Sequence, residues 1–348
     1  MRQENVKVII WGIGAMGSGM ASMLLKKKGV EIVGVIGRSD IGKTLYEKLG
    51  ESYDHHPDVE IKGVDDVLKE KAADVVLLCT DSFTKPSFEK IKKIVELKMN
   101  VVTTAEEMAY PQAQNPELAE EMDRLAKEHG VSILGTGINP GLIMDLLVLI
   151  FTGAMEHVED ITSRRVNSLS PFGKTVMEEQ GIGISVEEFN KRKAAGEMTG
   201  HVGFIESVRM ITDGMGLELS DFKQDLEPIV TDVDRKSPYG FAEAGKLAGV
   251  NMTAEGWVDG KNMIHMHHPQ QIEPEQVGID TGDYVIIKGT PDINMVNSPE
   301  VDGGIGTIAM CVNMIPHVIN ARPGLRTMID LPVPRAIMGD MRKFIEVE

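Results

Sequence analysis

The sequence predicts an α/β chain: an N-terminal, doubly wound domain on a parallel sheet, then a second α+β domain built on a mostly antiparallel sheet. Three observations predict it. Short, almost wholly apolar runs alternate with helix-period segments from Val6 to Leu134, and a strand that is apolar on both faces needs helices above and below it. A glycine-rich turn separates the first such run from the first helical segment. Beyond Gly141 the pattern changes to longer stretches in which apolar and polar residues alternate, as expected where only one sheet face is covered.

The first apolar run, VKVIIW at 6–11, is a strand that stops at Gly12, and Met16, Met20, Met23 and Leu24 then recur at helical spacing up to Gly29. Strands follow at Glu31–Ile36, Val59–Lys62, Asp74–Cys79, Asn100–Thr103 and Val131–Leu134, with helices at Gly42–Leu49, Lys85–Lys98 and Asn115–Gly130 between them. An apolar helix over Leu142–Phe151 leads into the second part. There VEDITSRRVNSLS alternates as a strand, polar helices run from Ser185 to Gly214, and strand-like stretches occupy Leu217–Val233, Thr253–Val258, Asn262–His268 and Tyr284–Lys288. The tail GGIGTIAMCVNMIPHVIN is a helix expected to return to the first domain. The domains are thus 1–141 with about 305–348, and 142–304.

Composition narrows the function classes. At about 150 residues per domain, 348 residues hold two domains with sizeable cores. A hydrophobic share of 42% and a charged share of 26% are those of an ordinary globular protein. With 36 Lys and Arg against 53 Asp and Glu, the net charge of −17 repels phosphate backbones and anionic lipid, so no nucleic-acid or membrane partner is expected. No apolar run approaches the ~18 residues of a membrane span, and the polar start runs straight into a strand, unlike a signal peptide. The two cysteines, Cys79 and Cys311, sit in apolar runs. Reduced thiols in the cytoplasm are the expectation.

Gly12-Ile13-Gly14-Ala15-Met16-Gly17 fits G-x-G-x-x-G between a strand and a helix. Glycines there allow a tight turn, close approach of backbone to a pyrophosphate and close helix packing, while the helix N-terminus offers N–H groups and a positive dipole end. The first domain is therefore expected to be a Rossmann domain holding NADP or NAD. At the end of the second strand, where an NAD site carries an acidic residue for the ribose 2′-OH, the sequence has Arg38-Ser39. A guanidinium and a hydroxyl suit a 2′-phosphate, so NADP is favoured, with Asp40 tempering the argument.

Ligands in an open parallel sheet bind beyond the carboxyl ends of the strands. Those ends read Thr80-Asp81-Ser82, Thr103-Thr104-Ala105-Glu106-Glu107 and Gly135–Gly141, which makes Thr80 and Thr104 candidate cofactor contacts. Glu106 is the candidate catalytic carboxylate, with Glu107 in reserve, because consecutive side chains point in different directions. Asn139 is expected to be extended before Pro140 and to meet substrate or nicotinamide; helix capping in an Asn-Pro-Gly turn is the alternative.

WGIGAMG, VVTTAEEMAYP, GTGINPG, RRVNSLSPFG and GGIGTIAMCVNMIP together resemble the 2,4-diaminopentanoate dehydrogenase and native amine dehydrogenase family, within the dihydrodipicolinate-reductase-like superfamily. The resemblance spans essentially the whole chain. It implies NAD(P)-dependent oxidation of the 4-amino group of 2,4-diaminopentanoate to 2-amino-4-oxopentanoate and ammonia, as in ornithine fermentation. It also implies Glu106 as the catalytic carboxylate, Asn139 at the cleft, and Arg165, Asn167, Phe172 and His201 in the substrate pocket. On a strand Arg165 and Asn167 share a face. Arg165 is expected to grip the substrate carboxylate, or else to form a salt bridge.

In His265-Met266-His267-His268 the first and third histidines share a strand face. His265 is expected to line the pocket. Two histidines without a cysteine or acidic third ligand make a poor metal site, so none is expected. A homodimer is expected through the second-domain sheet. Two other readings stay open: an imine reductase of the dihydrodipicolinate reductase kind, which lacks its expected histidine pair, lysine and Ser-Gly-Thr loop here, and a non-catalytic NADP sensor.

Overall fold

The computed structural model describes residues 2–198 and 200–346. In chain order its first elements are β1 (Val6–Trp11), α1 (Ala15–Leu24), β2 (Val30–Ile36), α2 (Leu45–Leu49), β3 (Ile61–Lys62), α3 (Val64–Val67), β4 (Val75–Leu78), α4 (Thr84–Glu96), β5 (Asn100–Thr103), α5 (Pro116–His129) and β6 (Ser132–Gly135). Then come α6 (Leu146–Thr152), β7 (His157–Ser168), α7 (Lys174–Glu179), α8 (Val186–Ala194), α9 (Phe204–Gly214), β8 (Leu219–Val230), β9 (Arg235–Lys236) and β10 (Phe241–Ala242). The last are β11 (Leu247–Val258), β12 (Lys261–Gln271), β13 (Gly282–Thr290), β14 (Ile293–Asn297), α10 (Gly303–Ile319) and β15 (Gly324–Arg326). The chain divides into two compact units, 1–142 with 303–348, and 143–302.

In the first unit seven strands lie in the order β15-β6-β5-β4-β1-β2-β3, and every pair is parallel. On one face Ile9, Trp11, Val76, Leu78, Val101 and Ile133 pack with Ile91, Ile94 and Val95 of α4 and Met122 and Leu125 of α5. Each fully buried side chain of this kind contributes roughly 1.5–3 kcal/mol. α1 and α10 lie against each other, so closely that a Cβ on Gly19 would stand 2.2 Å from Ile308. Cys79 and Cys311 are both free thiols.

The second unit is built on a six-stranded sheet, β14-β13-β7-β12-β11-β8. Only β7 and β12 run parallel; the other pairs are antiparallel. α6 and α9 pack on one face, tied by a buried hydrogen bond from Ser207 Oγ to Asp145 Oδ2 at 2.8 Å. The other face carries Asp160, Thr162 and Arg164 beside His265, His267 and Tyr284, in register.

Several bounds differ from expectation. The helix after Gly141 starts only at Leu146, because Asp145 caps it by accepting from the Leu146 N–H at 2.7 Å. β11 begins at Leu247, six residues early: Leu247–Met252 pairs with both neighbouring strands although its alternation is weak. β14 and β15 were not expected. β15 has three residues, too few for a periodic signal, and exists because it pairs with Ser132–Leu134 of β6. Among the described residues no helix is long and apolar enough to cross a membrane.

Candidate active site

The loop after β1 is shaped for a phosphate. Gly12 has φ +102°, and a Cβ there would lie 2.6 Å from the Cys79 carbonyl oxygen. A Cβ on Gly17 would lie 1.8 Å from the Gly12 oxygen, whereas nothing stands within 4 Å of the corresponding point at Gly14. The turn is thus closed at its two outer glycines and open at the middle one. Ile13 is buried, Ala15 and Met16 open α1 without an acidic residue in its first turn, and the helix end presents positive potential there.

At the end of β2, Arg38 and Ser39 are exposed. Asp40 does not stand as a free acid beside them: Lys43 Nζ reaches its Oδ1 at 2.8 Å and Lys48 Nζ its Oδ2 at 2.7 Å. Hydrogen bonds from Lys43 and Lys48 hold its carboxyl down at about 2. Two lysine cations thus compensate the Asp40 carboxylate.

Two residues beyond β4, the Thr80 hydroxyl donates to Asp81 at 2.6 Å and accepts from Lys90 at 3.0 Å. Thr104 follows β5 directly, and its N–H donates to the Leu78 carbonyl at 3.2 Å. The neighbouring glutamates then part company. Glu107 Oε2 accepts from the Thr84 N–H at 2.7 Å, capping α4, and from Asn115 Nδ2 at 3.3 Å. Glu106 instead takes a hydrogen bond from Ser82, and burial pushes it above the usual carboxylate range, with the Glu107 charge adding to the rise.

The loop after β6 folds back on itself as a turn. A Cβ on Gly141 would meet the Gly137 N and O atoms at 2.7 Å, and Thr307 of α10 accepts from the Ile138 N–H at 3.2 Å. The Asn139–Pro140 bond is cis, and Asn139 is buried in this turn.

In the second unit Arg165 and Asn167 share the buried face of β7. Arg165, 2% exposed, is ion-paired with Asp283 and donates to the Val301 carbonyl. This corrects the expectation of a free carboxylate grip: a buried guanidinium needs a buried counter-charge, and Asp283 supplies it. Asn167 Oδ1 lies 2.9 Å from His268 Nε2. An amide oxygen only accepts, so His268 carries its proton on Nε2 and leaves Nδ1 as a bare acceptor. That Nδ1 is buried without a partner. Burial, then the charges of His201 and Arg165, lower the His268 pKa well below its ordinary value, so the ring is neutral.

The His201 ring meets His268 edge-on at 4.9 Å, and Phe204 stacks on His268 at 6.3 Å. Phe172 packs with Leu169, Met177 and Ile272. The expectation for His265 is also corrected. It stands on the opposite face, 3.0 Å from Asp160, because residues 264, 266 and 268 are the inward set. Among the described residues no three metal-ligating side chains gather.

Two family descriptions partition the sequence. Residues 6–136 match an oxidoreductase family with an NAD-binding Rossmann fold, and residues 142–347 match the 2,4-diaminopentanoate dehydrogenase C-terminal domain. The chain belongs to the 2,4-diaminopentanoate dehydrogenase family. The enzyme of that name from Acetoanaerobium sticklandii is 68% identical over 347 residues, 99% of this chain and 98% of its own. An amine dehydrogenase of Streptomyces virginiae is 22% identical over 239 residues, 64% of this chain and 66% of its own. The solved amine dehydrogenase from Mycobacterium smegmatis superposes with a TM-score of 0.83 at 25% identity, covering 96% and 98% of the two chains.

Membership of the 2,4-diaminopentanoate dehydrogenase family makes the chain an oxidoreductase with an NAD(P)-binding Rossmann domain. Sequence reasoning missed His268 and Asp283. His268 had a legible signal, since Ile264, Met266 and His268 alternate with His265 and His267. Asp283 had none: it lies 118 residues from Arg165.

Proposed function

We propose that this member of the family oxidises the 4-amino carbon of 2,4-diaminopentanoate, giving 2-amino-4-oxopentanoate and ammonia, with NADP favoured over NAD. The observation that carries the reading is Glu106, a half-buried carboxyl of raised pKa just after β5, left for chemistry because Glu107 takes the capping role. The near-complete correspondence with the Acetoanaerobium enzyme supports the substrate.

Amine oxidation requires a neutral nitrogen, whose lone pair forms the C=N bond as hydride leaves C4. The bound dinucleotide supplies the hydride acceptor. Glu106 accepts the ammonium proton and releases it to solvent; it then takes a proton from the water that adds to C4 and passes it to the nitrogen, so that the C–N bond breaks, ammonia departs and the hydroxyl proton is lost as the ketone forms. A carboxylate of raised pKa is the stronger base for both steps. Gly12 to Gly17 would hold the pyrophosphate, Thr80 and Thr104 border the nicotinamide end, and the buried Asn139 amide orients nicotinamide or substrate.

Substrate recognition is assigned to Asn167, His201 and His268, with Phe172 as an apolar wall. The bare Nδ1 of neutral His268 suits an N–H of the 2-ammonium group, and the Asn167 amide, which gives one N–H to the Ser168 carbonyl at 3.4 Å, has a second for the carboxylate. Arg165, bound to Asp283, is a positioning residue beside this cluster. Exposed Arg38 and Ser39, next to an Asp40 compensated by Lys43 and Lys48, support a 2′-phosphate, hence NADP.

A cytoplasmic homodimer joined across the open face of the six-stranded sheet completes the proposal. That face carries Arg164 over the Tyr284 ring at 5.3 Å, with Val296 54% exposed beside it. Light scattering that returns a monomer refutes this part alone. The reaction is tested by reduced-cofactor absorbance with 2,4-diaminopentanoate and either dinucleotide at alkaline pH. Turnover lost in Glu106→Gln is expected; turnover of simple amines only would overturn the substrate.

A further inference from the structure

A cavity of about 640 Å³ lies in the first unit, between the end of α10, β15 and the C-terminal segment. It lies beside the edge strand β15, lined by residues that precede and follow it. Arg322 precedes β15, and Ser132, which opens β6, donates through its hydroxyl to the Arg322 carbonyl at 3.1 Å.

Arg322, Arg326, Arg335 and Lys343 line this cavity, against two carboxylates, Asp330 and Glu346. In a chain of net charge −17 such a local excess of cations is unexpected. Arg326 is engaged by the Arg322 and Pro323 carbonyls at 2.9 and 2.6 Å, and Asp330 by Thr327 at 2.8 Å. Arg335 lies over the Phe344 ring at 5.8 Å. None of the four basic side chains forms an ion pair with a described carboxylate, whereas Arg342 nearby pairs with Asp340 at 2.6 Å. His317, 6% exposed, also lines the cavity, and its Nε2 is buried without a partner. Burial, then the Arg335 charge, lowers its pKa, which favours the neutral ring.

We propose that this cavity is a second ligand site, taking a small polyanion that carries two or more phosphate or carboxylate groups. Its volume is that of a metabolite pocket. Arg322, Arg335 and Lys343 bind the oxyanions by charge-assisted hydrogen bonds, and His317 adds a donor from the cavity wall.

The test is calorimetric titration of the full chain, saturated with NADPH to block the glycine loop, with inorganic pyrophosphate and separately with citrate, at fixed ionic strength. One equivalent of either should bind. Arg322→Gln with Arg335→Gln should weaken binding at least tenfold and Lys343→Gln severalfold, with kcat unchanged; all three positions are exposed. Binding of pyrophosphate alone identifies a phosphorylated ligand, and of citrate alone a polycarboxylate. Binding of neither above matched chloride, or equal binding by the variants, overturns the site.

Discussion

The carboxylate of Glu107 accepts the backbone N–H of Thr84 at 2.7 Å, and this one bond separates two adjacent, chemically identical residues into different roles. Glu107 satisfies an orphan donor at the start of α4. Glu106 keeps its carboxyl at the edge where the strands end. Glu106→Gln should therefore lower kcat by roughly 10²–10⁴ with the fold intact. Glu107→Gln should instead lower stability by about 0.5–2 kcal/mol, as expected for a lost cap, while activity persists. Steady-state rates and thermal melts on the two variants separate the roles; the opposite pattern would exchange them.

The raised pKa of Glu106 has two consequences for pH. Only the ionised carboxylate is a base, so the rate should rise with pH through a limb above the usual carboxylate range, and Glu106→Gln should remove that limb. Stability runs the other way. A carboxyl whose folded pKa exceeds its unfolded value favours folding at low pH, and that contribution is lost as pH rises through the folded pKa. Glu106→Gln should therefore gain in Tm over the parent at neutral and alkaline pH, with the gain vanishing in acid. A constant difference across pH would contradict the raised pKa of Glu106.

Arg165 and Asp283 form a buried pair within the second unit. Asp283→Asn leaves a buried guanidinium without counter-charge and should cost about 3–5 kcal/mol. Urea denaturation measures this. Loss of substrate affinity without loss of stability in Arg165→Met would instead return Arg165 to direct carboxylate binding.

Asp40 is neutralised by Lys43 and Lys48 at 2.8 and 2.7 Å. Replacing both lysines by glutamine bares a carboxylate beside Arg38 and should lower the ratio of kcat/KM for NADP over NAD about tenfold. Asp40→Asn should raise the ratio. Salt should shrink both effects, since these groups are exposed. An unchanged ratio in both variants would place 2′-phosphate recognition elsewhere.

The sequence by itself determined whatever a few consecutive residues dictate. Apolar runs on both faces required a covered parallel sheet, and Gly12 and Gly17 required a turn that no side chain could enter. Period two put Arg165 and Asn167 on one strand face. Tertiary structure decided which partner each polar group meets. His265 and His268 differ in fate only because the helices cover one sheet face, and Arg165 is committed because Asp283 pairs with it across β13 and β7. Glu106 is available because Thr84, 23 residues from Glu107, claims the neighbouring carboxylate. Local patterns set the backbone, since neighbours in sequence fix its periodicity. Burial and pairing set the chemistry, because a charge is satisfied by whatever the fold brings within about 3 Å of it.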